Sequence, residues 1–181
     1  MLERLYPDDW STSVQEIDFA SLYREGYRAV IFDIDNTLVP HGMPADEGAV
    51  NLFRHLRELG YQTMLLSNNK EPRVRSFAQQ VGSDYIYKAG KPGSRGYLEA
   101  VRKMQVQKAH TLFVGDQLFT DIWGANRTGI RNILVQPIHP KEEIQIVFKR
   151  LAEKVVLFFY FRRKRKHIKY RTENSRKGEI R

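Results

Sequence analysis

The chain reads as an α/β domain built on a parallel sheet, and three observations carry that reading. Five short apolar runs recur along it, at Ala29–Phe32, Thr63–Leu66, Tyr85–Tyr87, Thr111–Val114 and Asn132–Val135. Each interval between them holds a helical pattern, which is the arithmetic of βαβ units. The first run is apolar without alternation and ends in carboxylates, as suits a strand in the middle of a parallel sheet. With 181 residues, 41% of them hydrophobic, the chain is long enough for one such domain and an appendage.

The elements follow in order from their punctuation. Residues 1–27, with Asp8, Asp9 and the stretch Ser21–Tyr27, read as an N-terminal helical segment packed on a domain that spans 28–140. After the first strand, Ala49, Phe53, Leu56 and Leu59 fall at helical spacing within Asp46–Leu59, and Gly60 stands at the C′ position. Pro72 suits the first turn of a helix over Arg73–Val81 that Gly82 closes. Ser94 is placed to cap a helix carrying Tyr97, Leu98, Val101 and Met104, and Thr120 or Asp121 to cap another that ends before Gly129. Gly124 inside that helix costs about 1 kcal/mol against Ala, so close packing on the sheet is its expected reason. From Ile144 an apolar stripe through Val147, Phe148, Leu151, Val155, Phe158 and Phe159 predicts an amphipathic helix over 141–161, followed by a basic, disordered tail over 162–181.

Composition removes several classes of function. With no cysteine, a disulfide framework, a thiolate zinc site and a catalytic thiol are excluded, while metal binding through carboxylates stays open. The N-terminus carries Glu3, Asp8 and Asp9 and no apolar run, so it reads as neither signal nor transit peptide, and the expected location is the cytoplasm. The longest apolar run, Val155–Phe161, falls short of the roughly 18 residues of a spanning helix, which leaves peripheral contact at the inner face of the membrane as the expected limit. The net charge of +9 is concentrated at one end: residues 149–181 hold 13 Lys/Arg against 3 Asp/Glu, and the other residues hold 17 against 18. Any argument from charge to partner therefore concerns the tail alone.

Ligands of parallel sheets sit beyond the carboxyl ends of the strands. Those ends read Asp33, Asp35 and Thr37, then Ser67-Asn68-Asn69, then Lys88 and Lys91, then Gly115-Asp116 with Asp121. Any one polar loop residue means little. Together the set meets the needs of phosphoryl transfer through a carboxylate nucleophile. Period 2 puts Asp33 and Asp35 on one side with Ile34 turned into the core. A phosphate dianion meeting a carboxylate at 4 Å is repelled by roughly 4 kcal/mol per charge pair at an effective dielectric of 20, so a cation is required. Mg²⁺ bound by Asp33 and Asp116 suits its preference for oxygen ligands. A lysine adds a mobile positive charge, and the Ser67 hydroxyl opens a loop of donors.

Asp33-x-Asp35-x-Thr37, Ser67 after an apolar run, Lys91-Pro92 and Gly115-Asp116-x-x-x-x-Asp121 resemble the four motifs of the haloacid dehalogenase (HAD) phosphatases, over about residues 28–135. The resemblance implies a Rossmann-like, three-layer domain with strand order 5-4-1-2-3. It implies Asp33 as nucleophile and Asp35 as general acid and then base, with Thr37, Ser67 and Asn68 on the phosphate. Lys91, favoured over Lys88 by the Lys-Pro pattern, would stabilise nucleophile and phosphate. Asp33, the Asp35 carbonyl and Asp116 would hold Mg²⁺, with Asp121 behind them. Ser67-Asn68-Asn69 and the chain length resemble further the YqeG-type, class IIIA branch, which is similar to phosphatidylglycerophosphate phosphatases.

The intervals from Thr37 to Ser67 and from Ser67 to Lys91, where HAD enzymes insert cap domains, are each used up by a helix and its connections, so no cap is expected. An open site suits a phosphomonoester on something large. The expected substrate is a lipid-borne phosphomonoester, phosphatidylglycerophosphate first. Soluble nucleotide or sugar phosphates are the enzymatic rival, and an RNA- or ribosome-binding module on a phosphatase fold is the rival of another class. Aromatics beside a polybasic cluster over residues 155–169 suit an anionic membrane surface, and the alternative is an aromatic run that completes the core or an oligomer contact and leaves the basic tail free. Nucleic acid fits less well, because the aromatics are blocked in sequence instead of spread over a basic face. His41 reads as an exposed loop histidine, and Phe119 and Trp123 as core packing.

Overall fold

The computed structural model describes residues 2–139 and 153–163. Two compact units divide the chain near residue 141. The first holds a six-stranded, all-parallel sheet of β1 (Asp9–Ser11), β2 (Ala29–Phe32), β3 (Gln62–Leu66), β4 (Asp84–Ile86), β5 (Thr111–Gly115) and β6 (Arg131–Val135), in the order β1-β6-β5-β2-β3-β4. The five expected strands stand in the expected order, and β1 is an addition on the β6 edge.

Every residue of the central strand β2 is buried, which is why its sequence does not alternate. Its side chains still part by period 2. Val30 and Phe32 enter a core shared with α1 (Phe19–Arg24), α2 (Glu47–Leu59) and α3 (Glu71–Val81), where Phe53, Leu56, Val74 and Phe77 are fully enclosed. Ala29 and Ile31 enter the opposite core with α4 (Ser94–Met104) and α5 (Trp123–Thr128), around Tyr97, Ala100 and Ala125. Burying each large apolar side chain stabilises by about 1.5–3 kcal/mol. The result is three layers with the carboxyl ends of all the strands at one edge.

Helix ends follow the sequence with instructive exceptions. Asp46 caps α2 by accepting from the Ala49 N–H at 2.7 Å, and Gly60 closes it in the left-handed region. The N-cap of α4 is Gly93, not Ser94, and its stripe buries Gly96, Tyr97, Ala100 and Met104 while Leu98 faces solvent. Neither Thr120 nor Asp121 caps the last helix. The chain enters it through a π-helical turn over Leu118–Ile122, because the Asp121 carboxylate is engaged elsewhere. Gly124 packs not on the sheet but on α4: a Cβ there would lie 2.4 Å from the Tyr97 hydroxyl. That hydroxyl donates to the carbonyls of Thr120 and Asp121, so the glycine makes room for the contact that seats the turn.

The N-terminal segment departs from the helical expectation. Besides α1 it contributes β1, which pairs in parallel with β6. The physical reason lies in β6, where the buried Asn132 needs partners and finds the Asp8 carboxylate and the Asn126 side chain. Arg131 adds a pair with Asp9 and another with Glu25. Three residues with no apolar alternation leave no strand signal in sequence.

Between Thr37 and Ser67 stand only α2 and β3, and between Ser67 and Lys91 only α3 and β4, so no cap domain is inserted. In the second unit a helix runs over 153–163, past the expected end at 161 and through Arg162 and Arg163. Val156 and Tyr160 are buried, while Val155, Phe158 and Phe159 are exposed. The expected stripe over Ile144–Leu151 and the tail from Lys164 lie outside the described residues. No helix among the described residues is long and apolar enough to cross a membrane.

Gly124→Ala, which in an ordinary helix would stabilise, should here cost about 1–3 kcal/mol by overpacking. Urea unfolding of Gly124→Ala and of Gly124→Ala with Tyr97→Ala checks it: the second substitution should not add its own full cost to the first, and full additivity would rule out the clash.

Candidate active site

The site is assembled from four strand ends, and its members are almost wholly enclosed. Asp33, Asp35, Thr37, Ser67, Lys91, Asp116 and Asp121 are each at most 8% exposed. Asp33 continues the ladder past β2, its N–H donating to the Val114 carbonyl. The chain then folds back: the Thr37 and Leu38 N–H groups return to the Ile34 carbonyl, and Asn36 takes a positive φ of 63°. This tight turn brings the Thr37 hydroxyl within 3.4 Å of Asp33 and 3.3 Å of Asp116.

Lys91 lies at the centre. Its ammonium contacts Asp33 Oδ1 and donates to Asp121 Oδ1 at 2.8 Å. Asp121 reaches it because Gly115 has no side chain: a Cβ there would stand 2.7 Å from the Asp121 carboxylate. The second Asp121 oxygen accepts the Gln117 N–H at 3.0 Å. Lys88, by contrast, is exposed, which separates the two lysines that spacing left in competition.

Burial raises the Asp33 carboxyl, Lys91 pulls it back only in part, and it stands at about 6. Burial also disfavours the Lys91 ammonium, but Asp121 and Asp33 outweigh this and hold it above the ordinary lysine range. The ammonium stays charged, and Asp33 carries the strain of the shared burial. Oxygens of Asp33, Asp116 and Asp121 lie within 4.8 Å of one another. With Asp121 committed to Lys91 and the Gln117 amide, Asp33 and Asp116 are the carboxylates best placed to face a hard cation, and their all-oxygen donor set fits one.

Asp35 sits in a separate cradle. Its oxygens accept from the Gly42 N–H at 2.7 Å, Asn69 Nδ2 at 2.6 Å and Arg73 Nη2 at 3.1 Å, while His41 Nδ1 stands 3.9 Å away, largely exposed. Ser67 keeps its place at the end of β3, its Oγ accepting the Asn69 N–H at 3.1 Å. The Asn68 side chain holds the Lys91 loop, its amide bonding both the N–H and the carbonyl of Lys91. Phe119 and Trp123 are half-buried. The sequence reading placed Asn69 at the strand end without a partner, and did not identify Arg73 or Tyr97 as part of this environment. Arg73 carried no signal beyond its place in the first turn of the helix after Ser67.

A family model described as haloacid dehalogenase-like hydrolase matches residues 43–129, a span that begins after the Asp33–Thr37 motif. The probable phosphatase YqeG of Bacillus subtilis (strain 168) is 35% identical over 159 residues, covering 87% of this chain and 92% of its own length. Phosphatidylglycerophosphate phosphatase 1, chloroplastic/mitochondrial, of Arabidopsis thaliana is 29% identical over 143 residues, or 72% of this chain, which spans only 40% of that relative. The fold is shared with an uncharacterized Listeria monocytogenes serotype 4b protein at a TM-score of 0.51 and 21% identity, over 64% of this chain and 84% of that one.

Stability should report this electrostatic balance. Because Asp33 titrates higher in the folded chain than its ordinary 3.8, its contribution favours folding below about 4 and is lost as pH rises through about 6. In EDTA, the melting temperature of Asp33→Asn relative to the unsubstituted protein should therefore rise between pH 4 and 7. Lys91→Met should lower stability by about 3–5 kcal/mol at pH 7, since it leaves two buried carboxylates without their counter-charge. A Lys91→Met protein as stable as its parent would remove the ammonium from that role.

Proposed function

The chain belongs to the haloacid dehalogenase-like hydrolases as one of their phosphatases, and on that premise we propose that it is a Mg²⁺-dependent phosphomonoester hydrolase working through Asp33. The observation that carries the reading is the enclosed cluster in which Lys91 spans Asp33 and Asp121 beside Asp116, Thr37 and Ser67. Asp33 attacks phosphorus and the bond to the leaving oxygen breaks, while Asp35 delivers the proton that oxygen needs. Water then attacks the aspartyl-phosphate, Asp35 takes the water's proton, and inorganic phosphate departs with Asp33 restored. Thr37 and Ser67 hold the phosphoryl oxygens and Lys91 balances their charge. Asp33, Asp116 and the Asp35 carbonyl would hold Mg²⁺, which when bound supplies the remaining positive charge against the phosphate dianion. Asp121 serves by fixing Lys91.

The proposed substrate is a phosphomonoester carried by a lipid, with phosphatidylglycerophosphate first. Three observations support this: the absence of an inserted cap, the similarity to the Arabidopsis relative named for that substrate, and the exposed aromatics at 158 and 159 followed by a basic sequence. An uncapped site gains specificity from contacts beyond the phosphate, and a protein held at an anionic surface on the cytoplasmic side meets its substrate at high effective concentration.

Asp33→Asn should abolish turnover while the fold survives, and Asp35→Asn should lower the rate by about 10²–10⁴. Full activity in Asp33→Asn, or in EDTA without added metal, would contradict the mechanism. Hydrolysis of phosphatidylglycerophosphate in vesicles should exceed that of soluble nucleoside and sugar phosphates in kcat/KM. Replacing Phe158 and Phe159 together by Ser should reduce the vesicle rate several-fold and spare a small soluble ester. Efficient turnover of a single soluble metabolite with no action on the lipid would remove the lipid assignment and keep the phosphatase.

A further inference from the structure

On the proposed reading of this site as a phosphatase, we propose that Arg73 binds a second anionic group carried by the leaving group of the substrate, so that the preferred phosphomonoester bears another phosphate or phosphodiester a few bonds from the reacting one. Arg73 projects from the first turn of α3, its guanidinium 5.4 Å from the ring centre of the enclosed Phe77 and its side chain 21% exposed. Its single hydrogen bond goes from Nη2 to Asp35 Oδ1, and Nε is buried with no partner among the described residues. A guanidinium offers five donors in a rigid fork suited to two oxygens of one anion, and here one donor is engaged. A pairing with Asp35 alone does not account for a buried donor left unmet, because such a group costs about 1–3 kcal/mol.

Position decides which part of a substrate meets this fork. Lys91 and Thr37 contact Asp33, where the transferred phosphoryl group belongs on the proposed reading. Arg73 bonds Asp35 instead. If Asp35 bonds the leaving oxygen, Arg73 lies within about two hydrogen-bond lengths, roughly 6 Å, of that oxygen. A second anion separated from it by a short carbon chain falls within that reach. The surroundings agree in sign: His41 adds a ring nitrogen 3.9 Å from Asp35, Lys70 sits at the N-cap of the same helix, and Glu71 is occupied by Arg75. Asp35 already has two other donors, the Gly42 N–H and Asn69, and keeps its place when the guanidinium turns to a substrate anion.

The test compares soluble esters, which removes the membrane from the measurement. The full-length enzyme with Mg²⁺ is given glycerol 3-phosphate, whose leaving group is neutral, the deacylated headgroup glycerophosphoglycerophosphate, whose leaving group carries a phosphodiester, and a sugar bisphosphate. Wild type should favour an ester with a second anion by about tenfold or more in kcat/KM, and the two such esters distinguish a lipid headgroup from a sugar as the source. Arg73→Gln should erase most of that preference through KM, so that the esters with a second anion lose about tenfold more in kcat/KM than glycerol 3-phosphate does, with Arg73→Lys in between. Binding of glycerophosphoglycerophosphate to the inert Asp33→Asn protein should weaken to the same extent when Arg73→Gln is added. A proportional loss of kcat on all esters would make Arg73 a positioning residue for Asp35 and overturn the proposal, as would an unchanged preference. An enzyme that hydrolyses none of them, nor phosphatidylglycerophosphate in vesicles, overturns the phosphatase reading and this inference with it.

Discussion

One buried ammonium governs the site. Lys91 is enclosed between Asp33 and Asp121 and supplies the counter-charge that both buried carboxylates share. Much of the neighbouring structure serves to hold this lysine. Asn68 bonds both backbone groups of Lys91, Gly115 leaves space for the Asp121 carboxylate, and Tyr97 bonds the backbone beside Asp121 through a gap that Gly124 leaves open. The π-helical turn over Leu118–Ile122 carries Asp121 inward to the ion pair, and the second oxygen of that carboxylate accepts the Gln117 N–H that opens the turn.

This arrangement explains how acidic groups can gather where a phosphate dianion is to be received. Asp121 is occupied by Lys91 and the Gln117 amide, which leaves Asp33 and Asp116 as the pair best placed for a hard cation. Asp33 is held at about 6 by burial, poised between protonation states until a further positive charge arrives. Asp35 is treated differently. It is held by three donors on loops and on the first turn of α3. Two acids two residues apart therefore have separate environments because different segments of the chain meet each of them, not because the residues differ.

Only α2 and β3 stand between Thr37 and Ser67, and only α3 and β4 between Ser67 and Lys91, so no further element is inserted between the strand ends that carry the site. On the proposed reading, specificity rests on groups around Asp35 and on the surface that presents the substrate. The exposed aromatics of the helix over 153–163 belong to the second possibility, and Arg73 to the first. The two are independent physical devices, one a fork for an anion and the other apolar area beside basic sequence.

The sequence by itself determined the order of strands and helices, the strand ends that carry the chemistry and the absence of an inserted cap, because period, punctuation and spacing are local properties. Asp33, Asp35, Ser67, Lys91 and Asp116 were legible as candidates from their places after apolar runs. Tertiary structure decided what each side chain does there. It chose Lys91 over Lys88 by burying one and exposing the other, set Asn68 on the lysine loop, and brought Arg73 and Asn69 onto Asp35 from more than thirty residues away. It also made a strand of Asp9–Ser11, whose partner β6 lies more than one hundred residues along the chain, and set Gly124 against a tyrosine of another helix instead of the sheet. These are non-local facts: pairing across the sheet and the demand of buried polar groups for partners appear only when distant segments meet, and no window of sequence contains both members of the pair.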